Sequence, residues 1–464
     1  MEITYYTFLL LPLLYATYRL WRLGHRPKNY PPGPPTLPVL GNIHLMVKDK
    51  PHLQFQKWAQ EYGPVYSLIL GTKTMVVLSD DQVVKDLLDR KSANTSARPD
   101  LYTGQTLMSG GKRMVMMTFR WPTFHDPLLQ TLFHNLDNYV RLNMTGGAAL
   151  ADFFPILRYL PTWLSPHKHE ALAHYSHEIA MYTTLYRRVK SALLANPDAR
   201  SCVCKDIIAL QAQENYTDEY TSHIPGQLWE AGSDTTSTQL YGFIQALLLY
   251  PDIQAKGQAE IDAVIGHDRM PTLDDMTCLP YVRACVKETL RWLPAAILGA
   301  FPHATSEDDV YKGYRIPKGA IIMLNTWTIH RDPARYANPT VFNADRFLGD
   351  TSSSAESATS IDVSRRDHFG FGAGRRICPG MNVADRSLLL GIARIFWAFE
   401  VKPKIGDDGV AKMPVQDDFV PGFVAIPKPF DVREIVRREW EMAKEGLGDD
   451  GQFLKGSVRM NGMK

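Results

Sequence analysis

One of the five cysteines, Cys378, stands where a thiolate would be stabilised. It belongs to the segment 371–380, which reads Phe-Gly-Ala-Gly-Arg-Arg-Ile-Cys-Pro-Gly, and a helix-forming pattern starts directly after it. A thiolate is favoured by nearby backbone N–H groups and by the positive end of a helix. Gly374 and Gly380 can free such amides, and glycines also let the backbone approach a flat ligand closely. The segment predicts a functional thiolate; the alternative is a glycine-rich turn that carries an inert thiol.

A second candidate lies in residues 231–236, Ala-Gly-Ser-Asp-Thr-Thr, inside the helix-compatible stretch 224–265. A glycine in the middle of a helix costs about 1 kcal/mol relative to alanine, so Gly232 requires a reason. Thr235 follows Ala231 by one helical turn, so its hydroxyl can bond back to that carbonyl and loosen the helix. Taken alone, such a run is more often a helix cap or a loop.

A pair of opposite charges, Glu288 and Arg291, shares one face of the predicted helix 281–292, because residues three apart are neighbours on a helix. By itself such a pair is usually a solvated surface contact that stabilises little.

The composition is that of an ordinary globular protein. The 464 residues carry 51 Lys+Arg and 49 Asp+Glu, a formal charge of +2, and 45% of them are hydrophobic. A nearly neutral chain is not captured by nucleic acid through its overall charge. The spacing of the other cysteines fits neither a zinc site nor a disulfide framework, so they are expected to be buried thiols in a reducing compartment. They are Cys202, Cys204, Cys278 and Cys285.

The elements that position these residues are predicted to be mostly helices with small β-sheets. Residues 65–70 and 74–78 flank a glycine turn and predict a hairpin. The helix-compatible stretch 224–265 is expected to be interrupted near Pro251. Further helices are expected to cover 281–292 and to run from 381 to about 399, with short extended pieces at 314–316 and 320–323. The Ser/Ala-rich residues 351–360 are expected to form an exposed loop.

The amino terminus predicts a membrane anchor over residues 1–23, because residues 3–18 lack charge and are followed by basic side chains. The run is short against the about 20 apolar residues of a spanning helix, so a cleaved signal or a soluble start stays open. A basic and proline-rich linker, 24–36, follows as a stiff spacer. The catalytic domain is assigned to 37–430, and a charged tail with a short helix to 431–464.

The segment 371–380 matches all five positions of Phe-x-x-Gly-x-Arg-x-Cys-x-Gly, the haem-binding signature of the cytochrome P450 family. The chain therefore resembles that family, and more narrowly its fungal secondary-metabolism type. The resemblance implies a mainly α fold with small β-sheets and a haem whose iron is held by Cys378 as axial thiolate, which favours O–O cleavage. It also implies cofactor contacts for the loop residues and a propionate partner in Arg376. The implied haem-binding residues of this loop are Phe371, Gly372, Gly374, Arg376, Cys378 and Gly380.

Other family motifs follow in order. Residues 231–236 resemble the oxygen-activation motif, which implies that Ala231 and Gly232 face the haem and that Asp234 and Thr235 deliver protons.

Glu288 and Arg291 resemble a structural network that Arg346 of a later loop completes. His303 stands where many members place a second propionate partner; a histidine on a strand edge without a ligand is the alternative.

The resemblance also implies a monooxygenase that takes electrons from an NADPH-dependent reductase at the endoplasmic reticulum membrane, with its catalytic domain facing the cytosol. Arg375 could dock the reductase, although a solvated charge is the commoner explanation. Pocket candidates are mostly apolar, which favours a hydrophobic small molecule, and core packing is an equally good explanation for each of them. They are Gln227, Leu228, Ile297, Leu298, Gly299 and Phe423.

The chain departs from the family near residues 118–130. Family members carry a Trp-x-x-x-Arg helix and two further helices there, yet Trp121 is followed by His125 at the arginine position. Three helices with their connections need on the order of 50–70 residues, so a deletion is predicted. A non-catalytic relic or a truncated gene product with impaired haem binding is therefore the main alternative, and a cysteine-nucleophile hydrolase using Cys378 is the third.

Overall fold

The computed structural model describes residues 14–15, 17–47, 49–110, 127–144, 146–196, 202–420 and 424–437. The longer helices are α1 (Pro51–Tyr62), α2 (Pro127–Met144), α3 (Gly146–Phe153), α4 (Pro166–Ala195), α5 (Val203–Glu214), α6 (Asp218–Leu249), α7 (Pro251–Val264), α8 (Pro280–Trp292) and α9 (Met381–Ala398). The strands are β1 (Val65–Leu70), β2 (Lys73–Leu78), β3 (His303–Ala304), β4 (Asp309–Tyr311), β5 (Tyr314–Ile316), β6 (Ile321–Leu324), β7 (Phe399–Ile405), β8 (Ala411–Lys412), β9 (Phe419–Val420), β10 (Ile426–Pro427) and β11 (Val432–Val436). The predicted class, mainly helical with small sheets, is confirmed.

These elements belong to two compact units. The first comprises residues 1–234, 298–328 and 372–380, and the second comprises 235–297, 329–371 and 381–464. The boundary falls inside α6, between Asp234 and Thr235.

The first unit contains a four-stranded sheet in the order β1-β2-β6-β3. β1 and β2 form the predicted antiparallel hairpin, and β6 adds to β2 in parallel with Met75 opposite Ile321. Helix α1 covers this sheet, with Phe55 and Trp58 packed against Tyr66 and its neighbours.

Helices α2, α4 and α6 pack together in the same unit around Leu132, Tyr182 and Trp229. Gly226 lets α4 come close, because a Cβ atom there would lie 2.3 Å from Cδ1 of Tyr182. Tyr182 is fully buried as a result.

The second unit is built around α8 and α9. Val282, Val286 and Leu290 of α8 are buried, and Phe396 of α9 packs on Gly257 of α7. A three-stranded sheet in the order β11-β7-β8 follows α9.

Two expectations about loops and termini are corrected. Within 351–360, residues 354–358 form a short helix, because Ser353 and Glu356 close a capping box at its start. Its Ala355 and Ala358 are buried, so this segment is not an exposed loop. Residues 432–436, predicted to begin the charged tail, form β11 and pair with β7.

The amino-terminal anchor prediction falls largely on residues 1–13, which lie outside the described part of the chain. Among the residues that the structure describes, no helix has both the length and the apolar character needed to cross a membrane.

Candidate functional site

Cys378 lies in a loop of the first unit between a short turn, Gly374–Arg376, and the start of α9 at Met381. The thiol is partly buried, and the backbone N–H of Gly380 donates a hydrogen bond to its sulfur. Burial raises the pKa of the Cys378 thiol above its ordinary value, and the Gly380 amide acts in the opposite direction. A cation at the sulfur would favour the thiolate that burial disfavours.

Gly374, expected to aim an amide at the sulfur, is required for a different reason. Its φ is +69°, and a Cβ atom would lie only 1.9 Å from the carbonyl oxygen of Leu88. Only glycine fits so close an approach, so the backbone contact holds the cysteine loop on the segment 85–90. Gly372 also has a positive φ, +77°, but its surroundings are open.

A basic cluster of three side chains lies in the same unit. The Arg376 Nε donates to the carbonyl of Ser96 at 3.0 Å, and Nη1 of Arg98 donates to the carbonyl of Phe301 at 2.7 Å. Burial, followed by repulsion from the positive charge of Arg376, lowers the pKa of Arg98. The described partners of both arginines are carbonyl groups rather than carboxylates, so the cluster suits an added anion.

His303, the third member, is 7% exposed, and its Nδ1 lies 3.0 Å from the carbonyl oxygen of Thr95. Burial, followed by the charge of Arg98, lowers the pKa of His303 to about 4. The imidazole is therefore neutral at pH 7 and carries its proton on Nδ1, because a carbonyl only accepts. Its Nε2 can donate to a carboxylate only after a second proton binds.

Arg98 was missed by the sequence argument. The only local signal is its position before Pro99 in an extended segment. Its proximity to His303 arises from the bridge between Ala97 and Ala304, which joins residues 207 apart in the chain.

The motif 231–236 lies within α6, which begins where Thr217 Oγ1 accepts from the amide of Tyr220 at 3.1 Å. Gly232 is exposed and Ala231 partly exposed, unusual for the middle of a 32-residue helix and suited to close approach by a flat group. Burial, followed by the charge of Asp137, raises the pKa of Asp234 to about 6. An acid with that pKa can exchange a proton at neutral pH.

The three charges of the predicted structural network meet in the second unit. Glu288 and Arg291 are both fully buried and form a two-point contact at 2.6 and 2.7 Å. The Arg346 Nε lies 3.2 Å from the same carboxylate. The amide of Asn343 also donates to Glu288 at 2.7 Å, so the carboxylate fixes the loop that carries Arg346.

His330 extends this network and received no role from the sequence. Its Nδ1 lies 2.8 Å from the Arg291 carbonyl, and its Nε2 accepts the amide of Phe369 at 2.8 Å. Burial lowers the pKa of His330 well below its ordinary value, so the ring is neutral and both contacts are satisfied by one tautomer. Phe369 directly precedes the segment 370–380. Because His330 accepts the Phe369 amide, His330 positions the start of that segment.

The remaining candidates are less informative. Leu228 and Ile297 are 6% exposed, whereas Gln227, Leu298 and Gly299 are partly exposed. Phe371 is buried at 9% exposure, and Arg375 is exposed. Phe423, Trp121 and His125 lie outside the described residues.

The residues present fit a haem. A sulfur with an amide donor, a helix face with the exposed Gly232 and a basic cluster with carbonyl partners match the iron, the flat ring and the propionates respectively.

A mainly helical fold that presents a cysteine loop of this kind is typical of a cytochrome P450, and the comparisons agree. The model of the cytochrome P450 family matches residues 31–134 and 112–433. Cytochrome P450 monooxygenase virE of Hypocrea virens is 39% identical over 515 residues, covering 95% of this chain and 93% of that protein. Cytochrome P450 monooxygenase fogE of Aspergillus ruber is 39% identical over 505 residues, covering 94% and 93%.

The chain therefore belongs to the cytochrome P450 family, whose members named here are monooxygenases and hence oxidoreductases. The family implies a haem-thiolate cofactor.

Proposed function

We propose that this chain is a haem-thiolate monooxygenase that inserts one atom of dioxygen into an apolar small molecule of secondary metabolism. The observation that carries the proposal is the Cys378 loop, in which the Gly380 amide faces the sulfur and Arg376 joins a basic cluster. Cys378 would bind the haem iron through its sulfur, and Arg376 and Arg98 would hold the propionates. His303 would join them once its Nε2 binds a proton.

The haem, when bound, supplies the iron at which dioxygen is activated. The protein supplies protons and holds the cysteine loop in position. Asp234 holds a proton that it can release near neutral pH, and Thr235 follows it on α6 with a hydroxyl that can pass a proton on. Glu288, Arg291 and His330 keep the chain before the cysteine loop in place.

The remaining parts of the proposal concern substrate, partner and place. Leu228 and Ile297 are apolar, which supports a hydrophobic substrate, with Gln227 as the polar exception. Electrons come from an NADPH-dependent reductase, for which exposed Arg375 offers a positive contact. The uncharged residues 3–18 and their basic flank support attachment to the endoplasmic reticulum membrane with the catalytic part in the cytosol.

The alternative, a non-catalytic relic, is motivated by the short segment near residues 118–130. Alignments with the relatives extend over 515 and 505 residues although this chain has 464, which supports the deletion proposed there. A helix on the haem edge is then missing, and haem would be held by fewer donors.

Isotope labelling tests the proposed activity. The expressed chain, supplied with a reductase, NADPH and ¹⁸O₂, is incubated with a set of apolar aromatic and terpenoid molecules and analysed by mass spectrometry. The proposal expects a product that contains one ¹⁸O atom and is lost in Cys378→Ser. Cys278→Ser is the matched control because Cys278 is an exposed thiol. Products that keep forming in Cys378→Ser, or without dioxygen, contradict the proposal.

A further inference from the structure

Two buried polar side chains of α4 face α6 in the first unit. Glu178 is 5% exposed and Tyr182 is fully buried, and both interact with Glu230 of α6. The close approach at Gly226, one turn before Glu230, holds Tyr182 in this position.

Both carboxyl groups are shifted towards their protonated forms. Burial raises the pKa of Glu178 to about 8, and it raises the pKa of Glu230 well above its ordinary value, with the charge of Glu178 as the next cause. His174 Nε2 lies 3.3 Å from Glu178, but burial lowers the pKa of His174 to about 4, so this imidazole is neutral as well. The cluster stores protons instead of forming ion pairs.

The groups that face Glu230 come from three helices. They are Glu178 and Tyr182 of α4, Asp234 of α6 and Tyr139 of α2. Burial, followed by the charges of Glu178 and Glu230, raises the pKa of Tyr139. Burial and the charges of Glu178 and Asp234 favour the protonated form of Glu230, whereas the interaction with Tyr182 acts in the opposite direction.

Two atoms of the cluster are withdrawn from solvent. Glu230 Oε1 and the Tyr182 hydroxyl oxygen have essentially no solvent-accessible surface, and neither atom has a hydrogen-bond partner within normal distance among the described residues. A substrate group therefore does not reach these two atoms in this fold, whereas a proton can move between neighbouring carboxyl groups without an open cavity.

Glu230 precedes Asp234 by four residues on α6, so the two carboxyl groups share one face of the helix and lie next to each other. Their charges interact, as do those of Asp234 and Asp137 of α2. Because the Asp137 side chain is exposed, Asp234 has a less exposed acid, Glu230, on one side and an acid that reaches solvent on the other.

We propose that Glu230 is a proton-relay residue that returns a proton to Asp234 during turnover, while Tyr182 and Glu178 keep Glu230 in place. This inference rests on the proposed monooxygenase function, whose stoichiometry RH + O₂ + 2e⁻ + 2H⁺ → ROH + H₂O consumes two protons per product. An O–H bond of Glu230 breaks, an O–H bond of Asp234 forms, and the electron pair remains on the Glu230 carboxylate. Glu230 thus supplies Asp234 from a proton held one helical turn away during turnover, and solvent refills Glu230 afterwards through Asp137 and Asp234. The electrons come from the reductase.

The first arm of the test reads the proton directly and needs no turnover. Infrared difference spectra of the full chain at pH 7 compare wild type with Glu230→Gln in H₂O and D₂O. A carboxylic acid C=O band that shifts in D₂O and is absent from Glu230→Gln is expected. A spectrum that shows Glu230 ionised at pH 7 overturns the relay.

The second arm uses dioxygen and NADPH as the probes, with the haem-loaded chain, a reductase and no organic substrate. Two electrons and two protons turn dioxygen into hydrogen peroxide, and four of each turn it into two water molecules. Glu230→Gln should slow water formation at least about tenfold and divert NADPH to peroxide, whereas Glu230→Asp, which keeps a titrating group, should restore most of the rate. Glu214→Gln, at the exposed end of α5, is the matched control.

The outcomes separate the two claims. If Glu230→Gln behaves like wild type while Asp234→Asn diverts NADPH to peroxide, the relay is refuted and the monooxygenase function stands. A wild-type chain that binds no haem refutes the function and the relay with it.

Discussion

Burial disfavours charge on both sides of the proposed haem site. Burial raises the pKa of the Cys378 thiol and lowers the pKa of the Arg98 guanidinium, because each group is withdrawn from water. An iron ion at the sulfur and a propionate at the arginines would each restore the charged form. The single residues are thus consistent with one ligand that carries a cation at its centre and anions at its edge.

Arg98→Gln should weaken haem retention, because a charged hydrogen bond to a carboxylate contributes about 1.5–3 kcal/mol. Transfer of haem to an excess of an acceptor protein should be roughly 10–100-fold faster than from wild type. Arg315→Gln, which removes an exposed arginine paired with Asp308, should leave the rate unchanged. Equal rates for all three proteins would remove Arg98 from the site.

His303 predicts a pH dependence of the stability of the haem-free chain. Its pKa is about 4 when folded, against 6.5 for an ordinary histidine, so the unfolded chain binds an extra proton as pH falls through this interval. The free energy of unfolding should therefore fall between pH 6.5 and 4, by up to about 3 kcal/mol from this group, and His303→Gln should lack that part of the decline.

Denaturant titrations of wild type and His303→Gln at several pH values measure this difference. Glu178, with a pKa of about 8, acts in the opposite direction in both proteins and cancels in the comparison. His267→Gln, at an exposed position, should follow wild type. Parallel curves for wild type and His303→Gln would show that His303 is not held neutral.

At the scale of elements, the sequence predicts best where the pattern is local. The β1–β2 hairpin, α8 and α9 follow from turn residues and helical periodicity and are found within a few residues of their predicted ends. The partners of Glu288 could be named only through the family motif, because Arg346 lies 58 residues away. Arg98 and His330 were missed because tertiary contacts place them.

Glu288→Gln should strongly destabilise the second unit. The variant leaves Arg291 fully buried without its two-point carboxylate partner, which costs about 3–5 kcal/mol. Chemical denaturation measures the loss. Glu400→Gln breaks an ion pair on the surface instead and should change stability by less than about 1 kcal/mol. A similar small change for Glu288→Gln would show that the network is not needed.

Gly374→Ala and Gly372→Ala separate steric clash from backbone strain in the cysteine loop. Both glycines have positive φ, but only the Gly374 Cβ atom would meet backbone, at 1.9 Å from the Leu88 oxygen. Gly372→Ala should therefore lose only about 1–2 kcal/mol of stability and keep haem, whereas Gly374→Ala should displace the loop and lose haem. Absorbance per protein after gel filtration measures haem content. Equal haem content in the two variants would contradict the packing role of Gly374.

At the scale of the whole molecule, the chain is a mainly helical member of the cytochrome P450 family, and the proposed deletion near residues 118–130 bears on how haem is held. Trp121 and His125 lie outside the residues that the structure describes. The proposed deletion leaves too few residues near 118–130 for three helices. We propose that Arg98, Arg376 and His303 hold haem without them.

The ferrous carbon monoxide difference spectrum of the expressed chain tests most directly whether the chain binds haem through the Cys378 thiolate. Wild type and Cys278→Ser should both show the strongly red-shifted Soret band of a thiolate-bound haem, and Cys378→Ser should lose it. Absence of a haem band in wild type, or a band that Cys378→Ser leaves unchanged, would contradict the assignment of Cys378 as the axial ligand of a functional monooxygenase.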